Sequence, residues 1–211
     1  MFILTAAHCV QGFEDVPDFF TVRLGSSAYE TSTVSLVERI IVHPRYSSAT
    51  FQNDVALLQL MAPVTYTDSI KPAVLAPITI NTGKRAEAAE YAGMEATVSG
   101  WGRTDVKATA DVLQKIDLTM LSNDDCRDYY SRNSIKSSML CAGRLTDDVY
   151  SGPCYGDSGG PMVTSLSGLP VQVGIVSWGE GCLRPYPSVF TRVSSFREWI
   201  SAAIVDALVA G

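Results

Sequence analysis

Short apolar stretches separated by turn residues recur along most of the chain. Runs spanning 20–24, 34–42, 54–60, 112–121, 160–164, 171–179 and 189–193 either alternate apolar with polar positions or form brief continuous apolar blocks. A period of two sends successive side chains to opposite faces of a strand, so these runs predict antiparallel strands rather than alternating strand-helix units. The 16 glycines and 10 prolines supply the turns between them. Two segments change period. Ser122 followed by Asp124 and Asp125 predicts a short helix, with a hydroxyl cap and acids near its positive end. At the end of the chain, Ser195-Phe196-Arg197-Glu198 forms a capping box. Phe196, Trp199, Ile200, Ala203, Ile204, Ala207 and Leu208 then follow helical spacing and predict a terminal amphipathic helix. From Pro77 to Gly93 no period persists, and the Ala, Glu, Thr and Gly content predicts a connector between two halves. No internal repeat is convincing.

Composition narrows the class. With 211 residues, 46% of them hydrophobic, the chain can bury a large core as one domain or two closely packed halves. A formal net charge of −6 leaves no basic excess for nucleic acid or an anionic membrane, and Lys and Arg are scattered singly. No apolar run reaches the roughly 20 residues of a membrane-spanning helix; the stretch from Ile200 to Val205 is interrupted by Asp206. The five cysteines are an odd number. That leaves at least one thiol without an internal partner, and spacing alone does not assign bridges or exclude five reduced thiols. Two histidines and no clustered cysteines offer no zinc spacing, so neither metal nor cofactor is expected.

The candidate chemistry lies in Thr5-Ala6-Ala7-His8-Cys9, Asn53-Asp54-Val55-Ala56-Leu57-Leu58 and Gly156-Asp157-Ser158-Gly159-Gly160-Pro161. Singly, His8, Asp54 and Ser158 each have a local explanation as cap, edge-strand charge or turn serine. Together they are the parts of nucleophilic hydrolysis. A serine hydroxyl needs a base within hydrogen-bond reach, an imidazole suits both accepting and returning the proton, and a buried carboxylate fixes the imidazole tautomer. Gly156 permits a tight turn in which its N–H and that of Ser158 face a developing oxyanion. In order and flanks these segments resemble the trypsin/chymotrypsin-like serine proteases, and the resemblance runs from Ile3 to the terminal helix.

That resemblance implies an all-β fold of two six-stranded antiparallel barrels, the first incomplete here, with a C-terminal helix. The expected boundaries are 1–84 for the remainder of the first barrel, 85–193 for the second and 194–210 for the helix. It implies a serine endopeptidase acting through an acyl-enzyme, on polypeptide substrates, with protein protease inhibitors as further partners, in a secreted monomer. The alternatives are a silent homologue acting as a binding protein, or a fragment; the intact His8, Asp54 and Ser158 do not recommend a decoy. By the same resemblance Cys126 pairs with Cys141 and Cys154 with Cys182, Cys9 stays unpaired, and a further bridge is lost as a unit at Ala96 and Thr164. Ser177 supports the catalytic Asp, and Ser177, Trp178 and Gly179 line the path of the substrate backbone. Gly152 and Ser188 fall at the base of the primary specificity pocket, where trypsins carry an Asp, so cleavage after large apolar or aromatic residues is expected. His43 is expected to be structural, and the calcium loop between Gly25 and Glu38 is expected to hold no calcium, with Ser26 where a carboxylate ligand would stand. Asp157 is the carboxylate that an activating N-terminal ammonium would meet. Only seven residues precede His8. An unpaired Asp157 is therefore expected to turn to solvent, weakening activity, and the open first barrel is expected to expose apolar edges.

Overall fold

The computed structural model describes residues 1–78, 89–131 and 133–209. Four strands form the first sheet: β1 (Phe2–Thr5), β2 (Thr21–Leu24), β3 (Thr33–Val42) and β4 (Ala56–Leu60), in the order β1-β4-β3-β2. The long β3 carries the register, Val42 opposite Ala56 on one side and Thr21 opposite Leu36 on the other. The sheet remains open. Between its ends lies an apolar trough of about 450 Å³ lined by residues including Phe2, Leu4, Leu24, Val64, Ile70 and Ile204.

The second half closes. Strands β6 (Glu95–Gly100), β7 (Gln114–Leu121), β8 (Met139–Thr146), β10 (Pro161–Leu166), β11 (Leu169–Trp178) and β13 (Ser188–Arg192) pair in a ring, since β7 bonds β8 as well as β6. Short strands β5 (Val74–Leu75), β9 (Val149–Ser151) and β12 (Leu183–Arg184) extend it. Together the two halves make an all-β fold of the chymotrypsin type.

Sequence patterning found β2, β3, β4, β7, β10, β11 and β13 and missed β1, β5, β6, β8, β9 and β12. β1, β5, β9 and β12 are short and the buried part of β8 is continuously apolar, so they carry no period of two, whereas β6 alternates, with Ala96 and Val98 buried, over a span too short to stand out. Helix α1 (Asn123–Tyr129) begins as expected, with the Ser122 hydroxyl accepting the Asp125 N–H at 3.0 Å. The terminal element starts as a 3-10 turn, Val193–Phe196, before α2 (Arg197–Val209). Phe196, Ile200, Ala203 and Ala207 are buried along it, whereas Leu208 is 62% exposed, a correction at the last turn. Most of the predicted connector, residues 79–88, lies outside the described residues.

One apolar cluster joins the halves. Ala6, Val55 and Leu57 of the first half pack in a single group with Leu118, Met162, Ile175 and Phe190 of the second and with Ile200 of α2. The two halves are thereby cemented where β1 ends and β4 begins, and just outside that join stand His8 and Asp54. Cys126–Cys141 and Cys154–Cys182 are bonded, and Cys9 is free. Ala96 and Thr164 are buried, and the Thr164 hydroxyl donates to the Glu95 carbonyl at 2.6 Å. His43 packs against Phe196 and Trp199 and its Nδ1 accepts the Arg45 N–H at 3.2 Å, a packing role.

Candidate active site

His8 lies on the 3-10 turn Ala7–Cys9 that follows β1 directly. Ala6 and Ala7 are fully buried, and larger side chains there would push the turn off the core. Asp54 lies between a tight turn and β4. Phe51 and Asn53 adopt positive φ (52° and 56°), and the Asn53 amide donates to the Arg45 carbonyl at 2.6 Å. This turn points Asp54 inward, where it is 0% exposed.

A carboxylate so buried must be satisfied. Oδ1 accepts the His8 backbone N–H at 2.8 Å. Oδ2 lies 2.7 Å from His8 Nδ1 and accepts the Ser177 hydroxyl at 2.6 Å. Thr191 donates its hydroxyl to the Asp54 carbonyl at 2.7 Å, a contact with no signal in the sequence. Ser177 reaches Asp54 because the β11–β13 register shifts between Val176 and Trp178, and a bulge re-aims the side chain it contains. Nδ1 therefore carries the proton and Nε2 is the free nitrogen of the neutral ring. Burial opposes charging His8, but the Asp54 hydrogen bond, the Cys9 thiol and the Asp54 charge outweigh it, and the imidazole is pushed up to about 10.

The serine loop approaches from the second half. Gly159 has φ +77°, and a Cβ there would stand 2.3 Å from Thr5 Oγ1, so only glycine lets this loop reach the end of β1. Ser158 is exposed and lines, with His8, a cleft of about 400 Å³. No hydrogen bond joins Ser158 Oγ to His8 Nε2 among the described residues; Nε2 faces Cys9 Sγ at 3.6 Å. Such contacts are often loose before substrate arrives. Within the loop the N–H groups of Asp157, Gly159 and Gly160 bond to Cys154, Val176 and Asp157 carbonyls. The N–H groups of Gly156 and Ser158 have no backbone acceptor among the described residues. Gly156, at φ +94°, makes that alternation possible.

Asp157 departs from the sequence expectation. Its carboxylate does not turn to solvent: Oδ1 accepts the Gly102 N–H and Oδ2 the Cys154 N–H, each at 2.9 Å. Gly100 and Gly102 make the room, since a Cβ at either would come within 2.5 Å of the carboxylate. Two backbone donors stabilise the anion in place, so the loop keeps its turn.

The cleft is also lined by Phe51, Tyr155, Val176, Ser177, Trp178, Gly179, Glu180 and Ser188. Gly152 lines instead a small adjoining cavity shared with Asp157, but a Cβ on it would stand 2.5 Å from Ser188 Oγ. Sequence reasoning missed Phe51, whose ring meets His8 edge-on at 5.7 Å between centroids, and Tyr155. Among the described residues no group of three or more His, Cys, Asp or Glu side chains could hold a metal, and no helix is long and apolar enough to cross a membrane.

A buried acid on an imidazole shares one cleft with an exposed serine, and the serine loop holds two N–H groups without a backbone acceptor among the described residues, an arrangement that fits nucleophilic hydrolysis. The sequence model of the family "Trypsin" matches residues 1–200. Trypsin-1 of Astacus astacus is 36% identical over 214 residues, covering 97% of this chain and 84% of the relative. Trypsin of Phaedon cochleariae is 37% identical over 203 residues, covering 94% and 73%. The chain belongs to the trypsin family and is a serine endopeptidase.

Proposed function

We propose that Ser158 is the nucleophile, His8 the general base and acid, and Asp54 the group that orients and stabilises the imidazolium. Ser158 Oγ attacks the peptide carbonyl as its proton passes to His8 Nε2. The tetrahedral oxyanion is met by the N–H groups of Gly156 and Ser158, each worth about 10²- to 10³-fold. His8 returns the proton to the leaving amine, and water then releases the acyl-enzyme by the same route. Ser177 and Asp157 act at one remove: Ser177 holds Asp54, and Asp157 holds the oxyanion loop. The observation that carries this reading is the pairing of fully buried Asp54 with His8 Nδ1 at 2.7 Å on the wall of the cleft that Ser158 lines.

The primary pocket selects large apolar or aromatic residues before the cut bond. Ser188 lines the cleft with Gly152 behind it, and neither brings a fixed anion, so a guanidinium there would lose solvation without a partner. Apolar pockets discriminate by about 1 to 3 kcal/mol per methylene, so the preference is broad. Hydrolysis of chromogenic peptides ending in Phe, Leu or Arg tests it. Phe and Leu peptides are expected to lead, and a dominant Arg rate overturns the assignment. Bridged cysteines and a trypsin-family chain also support secretion, action as a monomer and capture by protein protease inhibitors.

A further inference from the structure

The apolar trough beside the open sheet shares no lining residue with the catalytic cleft, and no residue assigned to hydrolysis borders it. Several elements wall it. Strand β1 supplies Phe2 and Leu4, helix α2 supplies Ile200 and Ile204, and the segment 61–73 that joins β4 to β5 adds Val64 and Ile70. That segment is pinned in place. Thr67 and Ile70 exchange backbone hydrogen bonds at 3.0 and 3.4 Å, and Gly25, at φ +85°, lets its backbone approach Ile70, since a Cβ there would stand 3.3 Å from Ile70 Cδ1. At about 450 Å³ the trough has the size of a small-molecule site. Its chemistry is sharply divided. Lys71 is the one charged side chain on the lining, it is exposed, and no acid pairs with it among the described residues. Tyr66 lines the same trough, and its exposed phenol is a second donor.

We propose that the trough binds an unbranched aliphatic carboxylate of the fatty-acid class, its chain laid against β1 and α2 and its carboxylate paired with Lys71. The lining selects this occupant. An aliphatic wall with no acid on it favours a tail that gives up its water, and a lone exposed ammonium favours an anion that keeps part of its own. Phe2 and Tyr66 are the only rings among the lining residues, so a flat aromatic ligand finds little to stack on. A cationic amphiphile of the same length buries the same tail but meets Lys71 as a like charge.

The test titrates octanoate, decanoate and dodecanoate, each below its micelle concentration, into the intact chain by calorimetry, with dodecyltrimethylammonium as the cationic control. One molecule per chain is expected, with affinity rising about two- to fourfold for each added methylene. Lys71→Gln should weaken dodecanoate about two- to fivefold at low salt and leave the dependence on chain length unchanged. Ile70→Asp, which sets an anion in the lining, should remove binding while the β-rich circular dichroism persists. Affinity that is flat in chain length, that both variants leave intact, or that dodecyltrimethylammonium matches overturns the site. A dimer in sedimentation velocity that Ile70→Asp disperses, with no fatty acid bound, overturns it too and assigns the trough to a second copy of this chain. These outcomes are independent of whether Ser158 is the nucleophile.

Discussion

Among single residues, the two histidines show how one side chain is set to opposite tasks by its neighbours. His8 gains a carboxylate and its pKa rises above 6.5 to about 10, so its contribution to stability is fully present below 6.5 and is lost as pH climbs through about 10. His43 is held below 6.5, by burial first and by the Arg45 charge second. Because the unfolded chain takes up that proton more readily, stability falls as pH drops below 6.5. Denaturant titrations across pH should therefore find greatest stability near 6.5, with the acid limb flattened in His43→Gln. The same neighbours set catalysis. The pH midpoint of kcat/KM should lie above 6.5 and move down in Cys9→Ala, since the thiol is one of the groups that raise the imidazole. Asp54→Asn should cut kcat by about 10⁴, because the amide holds the wrong tautomer while leaving the shape intact.

Within the elements, glycine and turn chemistry decide where the site is assembled. Gly159→Ala places a methyl against Thr5 Oγ1 and strains a backbone at φ +77°, so it should lower kcat/KM by more than about 10²-fold and leave the β-rich circular dichroism in place. Another turn offers room for improvement. Asp147 and Asp148 join β8 to β9 with φ of 48° and 61°, a pair of left-handed residues for which Asn-Gly is preferred. Asp148→Gly should raise stability by about 0.5 to 1 kcal/mol, read as a higher denaturation midpoint at unchanged slope. This level is also where sequence legibility varied most. The runs 34–42 and 171–179 announce themselves because they are long and alternate or stay apolar for many residues. Phe2–Thr5 is four residues, and Met139-Leu140-Cys141-Ala142 is buried throughout, so neither shows a period from which a face could be read.

Across the whole molecule, the site exists because two halves share one core. His8 and Asp54 come from the open sheet, whereas Ser158 and Ser177 come from the closed barrel, and the apolar cluster spanning both fixes their spacing. The three residues proposed as catalytic stand out in the sequence by their flanking motifs, because each motif records a local need: small buried residues before His8, an apolar strand after Asp54, glycines around Ser158. The supporting contacts do not. Thr191 on the Asp54 carbonyl, Phe51 on His8 and the Gly100–Gly102 recess around Asp157 depend on residues more than forty positions apart, or on a turn whose direction no local pattern reveals. The most direct test of convergence is covalent labelling of the intact chain with a fluorophosphonate, mapped by peptide mass spectrometry. The account predicts one adduct, on Ser158, whose rate of formation falls by at least about 10³-fold in His8→Ala. A folded chain that takes no label, or takes it at another serine, would contradict the assignment.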